Sequence, residues 1–319
     1  MDSISVVIPV YNSASTLKRT LGCLLDASRF IDEVYIVDDA SNDDSVEIVK
    51  QFIENLSSKM RTKFNFITHG KNLGLAGTYN DGLRRCKGDI IITIHSDIIF
   101  GSEEIPKLLK PFSSADVVAS CHCVKHPLKT WKTYTFWQKC LFSRLLGRTS
   151  CGLDGKFDAY RRKALEQVGY FDDNHFYRAG EDGDLREKLS RIGKIEKSGA
   201  VIVHIHNQSS NFSLEDYIYK HAQYAEAFGV LLRRHGITNF PRFIRTHFRE
   251  LIFIALLVPF IRIFGAFIAL SFAFFYTKAV FISEFPDRRL FYLPLVNLFL
   301  LPISFIFSLK GFIHGQQTV

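Results

Sequence analysis

Several features that often place a chain are missing here. Met1-Asp2-Ser3 leads straight into an apolar run without a positively charged leader, so no cleavable secretion signal is read and the globular part is expected on the cytoplasmic side. The six cysteines, Cys23, Cys86, Cys121, Cys123, Cys140 and Cys151, form no disulfide-like framework and are expected as reduced thiols. Cys121-His122-Cys123 with His126 matches no common zinc spacing, which leaves a strand running into a loop. There is no internal repeat and no low-complexity segment. Charge is absent altogether from Leu290 to Leu309.

What is present starts with size. A chain of 319 residues accommodates one α/β domain of about 230 residues and a tail. Its composition, 47% hydrophobic and 23% charged, resembles a soluble enzyme, yet many of the 30 Phe fall after Phe240. The formal net charge of +8 suits an anionic membrane surface or a phosphorylated substrate. A nucleic-acid partner is not expected, because no nucleic-acid motif accompanies the basic residues.

Ile4 to Val10 is a continuous apolar, β-branched run and reads as a buried parallel strand. Ser15 to Asp26 has helical periodicity. Glu33 to Val37 reads as a second strand, Ser41 to Leu56 as a helix, Phe64 to Thr68 as a third strand, Leu75 to Arg85 as a helix and Asp89 to Ile94 as a fourth strand. This alternation predicts an α/β fold, a mostly parallel Rossmann-like sheet flanked by helices. Ligands of such sheets sit beyond the carboxyl ends of the strands. Asp38, Asp39, His95 and Asp97 fall there.

Three blocks follow in order. The first is Val6-Val7-Ile8-Pro9-Val10-Tyr11-Asn12 with Val37-Asp38-Asp39-Ala40-Ser41-Asn42-Asp43. The second is Asn72-Leu73-Gly74-Leu75-Ala76-Gly77-Thr78-Tyr79-Asn80-Asp81-Gly82-Leu83, then Lys87-Gly88-Asp89 and a strand ending His95-Ser96-Asp97. The third is Val168-Gly169-Tyr170-Phe171-Asp172 with Gly180-Glu181-Asp182-Gly183-Asp184-Leu185. Over about residues 3 to 235 these blocks resemble the family 2 glycosyltransferases, inverting enzymes of GT-A fold.

The resemblance implies a nucleotide diphosphate sugar donor held by Pro9, Tyr11, Asp38, Asp39, Asn72, Gly74, Ala76, Asn80, His95 and Ser96. An acid pair at a strand end can accept hydrogen bonds from a nucleobase and a ribose hydroxyl; by resemblance Asp39 takes the base, while helix capping is the plain alternative. Gly74, Ala76 and Gly77 let a nucleotide approach the main chain at a helix start.

His95-Ser96-Asp97 stands where the family usually has acid-x-acid. Asp97 takes the position of the acid that binds a divalent metal, Mn2+ or Mg2+, which steadies the donor diphosphate. His95 departs from the pattern, with ribose, phosphate or the metal as its contact. His204 and His206 lie on one face of an alternating strand, and either completes the metal site or is structural. An inverting displacement needs a carboxylate beside the attacking hydroxyl. By resemblance that base is Asp182, with Glu181 positioning it or the acceptor. Asp184 is an acceptor-side residue or an acid favouring the helix start. Trp131 and Trp137, in the aromatic and basic stretch Lys125 to Arg148, are the expected acceptor contacts.

The tail changes character. Asn239 to Glu250 mixes Arg242, Arg245 and Arg249 with Phe240, Phe243 and Phe248, as an interfacial helix would. Leu251 to Ile282 and Leu290 to Leu309 read as a transmembrane helical hairpin. The expected organisation is a catalytic domain over 1–235, an interfacial segment over 236–250 and transmembrane helices with a short tail over 251–319, in a multi-pass membrane protein whose catalytic domain is cytoplasmic. The expected acceptor is a lipid-linked glycan or polyprenyl phosphate. A nucleotidyltransferase would carry a Gly-rich, basic first loop, which Pro9 to Ser13 is not. A scaffold that has lost chemistry at His95 is the other rival, and the intact Glu181-Asp182 argues against it.

Overall fold

The computed structural model describes residues 2–126, 128–205 and 211–318. Two compact units emerge. One gathers Met1–His126, Gly147–Asp173 and Glu181–Gln208; the other gathers Pro127–Leu146, Asn174–Gly180 and Ser209–Val319.

Among the described residues the first unit is built on a nine-stranded sheet. Its strands are β1 (Ile4–Val10), β2 (Glu33–Asp38), β3 (Phe64–Thr68), β4 (Ile90–Ile94), β5 (Ile98–Ile99), β6 (Val117–Lys125), β7 (Thr149–Cys151), β8 (Phe157–Arg161) and β9 (Lys194–His204). The order is β3-β2-β1-β4-β8-β6-β9-β5, with β7 on β6. All seven residues of β1 are buried, as its unbroken apolar run requires. Helix Ala14–Asp26 turns Leu17, Leu21 and Leu24 into the same core, and helix Gly74–Arg85 turns in Ala76, Tyr79 and Leu83.

The sheet is mixed, which corrects the mostly parallel expectation. β1, β2, β3 and β4 are mutually parallel and β6 is parallel to β9. β8 runs antiparallel to both β4 and β6, β7 to β6, and β5 to β9. A parallel partner needs a long crossover, usually a helix. β8 pairs with β4 and β6 and not with β7, the strand just before it, so the strand-helix-strand alternation that predicted parallel neighbours does not extend to it.

The reduced-thiol expectation is corrected at one pair. Cys123 and Cys151 face each other across β6 and β7, Cα atoms 4.0 Å apart, and form a disulfide. Spacing along the chain does not reveal this, since only the strand pairing opposes them. The other four cysteines are free.

The second unit is helical. Ser213 and Asp216 form a capping box that starts helix Leu214–His235. This helix lies against helix Leu293–His314, and the contacts advance together along both: Tyr217 meets Asn297, Glu226 meets Lys310, and Arg233 meets Ile313. The two helices are therefore parallel. Gly229 and Gly311 allow their approach: a Cβ built on Gly229 would stand 1.9 Å from the Ser308 carbonyl oxygen, and one on Gly311 2.0 Å from that of Glu226.

The expected hairpin is matched in its second arm only. Its first arm breaks into helices Phe248–Leu257, Arg262–Phe275 and Lys278–Ser283. At 1.5 Å per residue even the 14-residue middle one reaches about 21 Å, short of the roughly 30 Å of a bilayer core. Among the described residues one helix, Leu293–His314, is long and apolar enough to cross a membrane. The breaks at Val258–Ile261 and Tyr276–Thr277 fall at the interruptions of the apolar run: Pro259 lies in the first, and Arg262 and Lys278 begin the helices that follow. The expected interfacial segment is likewise divided, between helix Phe240–Thr246 and the start of Phe248–Leu257.

Gly82 offers a test of the core. Alanine is normally the better helix residue, by about 1 kcal/mol. Here a Cβ at Gly82 would lie 2.5 Å from Val7 Cγ1 of the central strand. Overpacking costs about 1–3 kcal/mol, so Gly82→Ala should lower the urea midpoint; a gain in stability would mean this contact yields freely.

Candidate active site

The site grows from the carboxyl ends of β1, β2 and β4. Asp38 and Asp39 are both 2% exposed. Asp38 Oδ2 accepts from the Ser41 N–H at 3.1 Å, and its Oδ1 is buried without a hydrogen-bond partner. Asp39 is fully engaged. It accepts from the N–H groups of Leu73 at 2.7 Å and Gly74 at 3.0 Å, and bonds His69 Nδ1 at 2.9 Å. It thus holds the loop entering helix Gly74–Arg85 rather than the helix that follows β2. Asn72 Oδ1 accepts from the same Gly74 N–H. Ala40, between the acid pair and Ser41, holds a φ of 60°, a sparsely populated conformation for a residue with a Cβ.

Other expected donor residues take varied places. Pro9 is within β1 opposite Val37, and Tyr11 beyond the strand is 49% exposed. Ala76 is buried in its helix. The Asn80 side chain is occupied by protein: it donates to Phe171 O at 2.9 Å and to Asp173 Oδ2 at 3.2 Å, and accepts from Phe171 N at 3.1 Å. Ser96 Oγ lies 2.7 Å from Ser13 Oγ.

His95, Asp97 and His204 converge. His204 Nε2 lies 2.9 Å from Asp97 Oδ2 and His95 Nδ1 3.8 Å from Asp97 Oδ1, and one ligand atom from each of the three lies within 4.8 Å of the others. Burial pushes His95 down to about 4, against the pull of Asp97. Its ring is therefore neutral at neutral pH, and its buried Nε2 has no hydrogen-bond partner. A neutral imidazole beside a carboxylate and a second imidazole fits a divalent transition metal. His206 lies outside the described residues.

A second cluster, not anticipated from sequence, stands beside it. Asp158 in β8 is fully buried and its Oδ2 accepts from the N–H groups of Asp154 at 2.8 Å and Gly155 at 2.6 Å. Its Oδ1 lies 2.9 Å from His122 Nδ1, and His122 Nε2 lies 3.5 Å from Asp154 Oδ1. Lys156 Nζ donates to Asp154 Oδ2 at 2.7 Å. Burial opposes ionisation of Asp154, but the Lys156 ammonium and His122 hold it at about 2. Burial likewise works to lower Lys156, while Asp154, and further off Asp182 and Asp158, keep it above the ordinary lysine value. The Tyr79 hydroxyl donates to Gly155 O at 2.8 Å, and its ring centroid lies 6.1 Å from that of His95. The signal in the sequence was slight: Asp154-Gly155-Lys156 reads as a turn, and His122 as a strand residue.

Glu181 and Asp182 open helix Glu181–Leu189. Burial, and then the adjacent Asp182, push Glu181 up to about 8. Asp182 is also raised, burial outweighing the Lys156 ammonium and the Arg186 guanidinium, and its Oδ1 accepts from the Gly183 N–H at 2.7 Å. Asp184 is fully buried and 3.2 Å from Lys188 Nζ. Trp131 and Trp137, 5% and 6% exposed, are packed in the core of the helical unit. Their faces are covered by neighbours such as Phe136 and Tyr217.

An open mixed α/β sheet with a buried acid pair, a His-Asp-His cluster and a Glu-Asp pair at its ligand-binding edge is the architecture of a GT-A glycosyltransferase. The sequence profile of glycosyl transferase family 2 matches residues 5–169, just over half of the chain, and the protein belongs to this family. It is 30% identical over 169 residues to the undecaprenyl-phosphate 4-deoxy-4-formamido-L-arabinose transferase of Photorhabdus laumondii, across 52% of this chain and 51% of that one. The transferase of the same description from Pseudomonas savastanoi is 36% identical over 109 residues, 33% of this chain and 31% of that one. The chain thus spans about a third to about half of the length of these curated relatives. Among solved structures, a mannosyltransferase from Pyrobaculum calidifontis in complex with GDP-Man and Mn2+ has a TM-score of 0.60 at 17% identity, covering 96% of this chain and 87% of that chain. Glucosyl-3-phosphoglycerate synthase from Mycobacterium tuberculosis, with Mn2+ and UDP-Glc, has a TM-score of 0.52 at 19% identity, covering 75% and 81%. At these identities the likeness is one of fold.

The Glu181–Asp182 pair retains a proton into the neutral range. A carboxyl whose folded pKa lies above its unfolded value of 4.5 favours the folded state at low pH. That contribution is lost as pH rises from there to about 8. Stability from urea melts should fall across this window by at most about 1.4 kcal/mol per pH unit, and Glu181→Gln should flatten the slope. Equal slopes in the two proteins would place the proton elsewhere.

Proposed function

We propose that this protein is an inverting transferase that moves a sugar from a nucleotide diphosphate donor to an acceptor on a membrane lipid, a lipid-linked glycan or polyprenyl phosphate. The observation that carries the reading is the convergence of His95, Asp97 and His204, whose ligand atoms lie within 4.8 Å of one another, with His204 Nε2 2.9 Å from Asp97 Oδ2.

Within this reading His95, Asp97 and His204 hold the divalent cation, and the two imidazoles favour Mn2+ over Mg2+. When bound, the cation offsets the charge that gathers on the departing diphosphate. Asp38 Oδ1, buried and unpartnered, receives a donor hydroxyl or base N–H, while Asp39 keeps the glycine-bearing loop in place beneath the phosphates. Asp182 takes the proton of the attacking hydroxyl, and Glu181 beside it stays protonated and positions it. Lys156 lends positive charge to the same pocket. Catalytic work belongs to residues 1–235, on the cytoplasmic face, with 236–250 at the headgroups and 251–319 as the membrane-bound tail. Helix Leu293–His314, about 33 Å long at 1.5 Å per residue, is the apolar element that anchors the tail. The lipid acceptor is supported by the names of the curated relatives, which act on undecaprenyl phosphate.

Donor binding by calorimetry and transfer rate, measured side by side, test the mechanism. Asp182→Asn should leave donor affinity nearly unchanged and lower transfer by about 10²- to 10⁴-fold, the usual contribution of a placed base. A fully active Asp182→Asn protein would remove Asp182 from that role.

Metal removal separates the cation from the base. Excess chelator should abolish transfer, with Mn2+ restoring it better than Mg2+, and Asp97→Ala should weaken donor binding as well as turnover. Full turnover in chelator would overturn the cation assignment.

A further inference from the structure

The helical unit encloses a group of donors that sugar transfer does not use. Arg249, in helix Phe248–Leu257, is 4% exposed, and a guanidinium is charged at any physiological pH. Its Nη1 hydrogen-bonds His221 Nδ1. Arginine only donates, so Nδ1 is the acceptor and the ring proton of His221 sits on Nε2. That Nε2 is buried and has no hydrogen-bond partner, and the same holds for Arg249 Nε and the Tyr276 hydroxyl.

These atoms belong to one cluster. The ring centroids of His221 and Tyr276 are 5.9 Å apart, and Phe248 lies 6.0 Å from Tyr276 and 5.6 Å from Arg249 Cζ. A second guanidinium stands over it: Arg144 Cζ is 4.7 Å from the Tyr276 ring centroid and 5.7 Å from that of Phe248. Arg144 itself is exposed. Burial, then Arg249 and Arg144, push His221 well below its ordinary value, so the ring is neutral.

No ion pair among the described residues balances these charges. No carboxylate among the described residues forms an ion pair with Arg249 or Arg144. Glu250, the next residue, is buried with neither oxygen hydrogen-bonded and His247 Nδ1 3.9 Å from Oε1, and burial pushes it toward the neutral acid against the pull of Arg249. A buried cation without a counter-ion, ringed by unsatisfied donors, is among the costliest arrangements in a folded protein. It calls for an anion that accepts several hydrogen bonds at once.

We propose that Arg249, His221 and Tyr276, with Arg144 at the rim, form a binding site for a phosphate group. A phosphate oxygen shell accepts from Nε–H, Nε2–H and the phenol together, and its charge offsets the guanidinium. Two sources carry this chemistry, a phospholipid headgroup and free phosphate. The site stands independently of the transferase reading, because it is a matter of binding alone.

Thermal unfolding of the full-length protein in detergent tests it. The probes are inorganic phosphate against chloride at equal ionic strength, and phosphatidic acid against phosphatidylcholine in mixed micelles. The wild type should be stabilised by a phosphate probe. Tyr276→Phe, which keeps the ring and removes one donor, should weaken binding about 10-fold. Arg249→Met should abolish the response while being no less stable than wild type without ligand, since it removes an unpaired buried charge. Should Arg249→Met fail to fold, Tyr276→Phe decides. A response to inorganic phosphate marks a free-anion site and a response to phosphatidic acid alone marks a headgroup site; each supports the assignment. No response to either probe, or an undiminished one in Tyr276→Phe, overturns it.

Discussion

A main-chain hydrogen bond of 2.9 Å from His95 N–H to Lys156 O closes the end of the β4–β8 pair. Because the strands are antiparallel, with Ile94 opposite Phe157, the loop entering β8 arrives at the edge where β4 leaves. A parallel β8 would have delivered Asp154-Gly155-Lys156 to the far side of the sheet. As it is, the loop stands beside His95 and Asp97, and Asp158 in β8 anchors it through two N–H groups and His122. Tyr79, reaching across from helix Gly74–Arg85, ties Gly155 O to the glycine-bearing loop's own helix. The geometry of the site follows from that one strand direction.

The buried acids of the first unit divide into two kinds. Asp39 and Asp158 are saturated with donors and serve as internal fasteners for loops. Glu181 and Asp182 are under-compensated: two carboxyls share one helix start, and burial raises both. Charge left partly unbalanced at the mouth of a sheet costs stability, and groups so perturbed concentrate where chemistry is done. Lys156 moderates the pair without quenching it.

The helical unit inverts the usual distribution of polarity. Phe260, Ile263, Phe285 and Phe291 are all more than 80% exposed, while Arg249, His221 and Asn297 are buried. Asn297 has a clear role, donating to Ala273 O at 2.8 Å and lying 2.9 Å from Thr277 Oγ1, so it joins the two longest apolar helices. Gly229 and Gly311 set the close approach of helices Leu214–His235 and Leu293–His314.

Much of the first half of the sheet was written in the local sequence. Short β-branched runs alternating with amphipathic helices specify parallel strands, and the acids at Asp38, Asp39 and Asp97 fall at strand ends because the runs stop there. The order of the three motif blocks carried the family. What only the tertiary structure decided involves partners far apart in the chain. The direction of β8, the Cys123–Cys151 bond, the capture of Asn80 by Phe171 and the burial of Trp131 and Trp137 all depend on which segments meet. Local periodicity reports how a residue faces its own neighbours and says nothing of a strand arriving 60 or more positions later. The apolar stretch after Leu251 lies between the two cases: composition measures affinity for a nonpolar surrounding, Pro259, Arg262 and Lys278 mark where the run is interrupted, and packing settles how the backbone turns there.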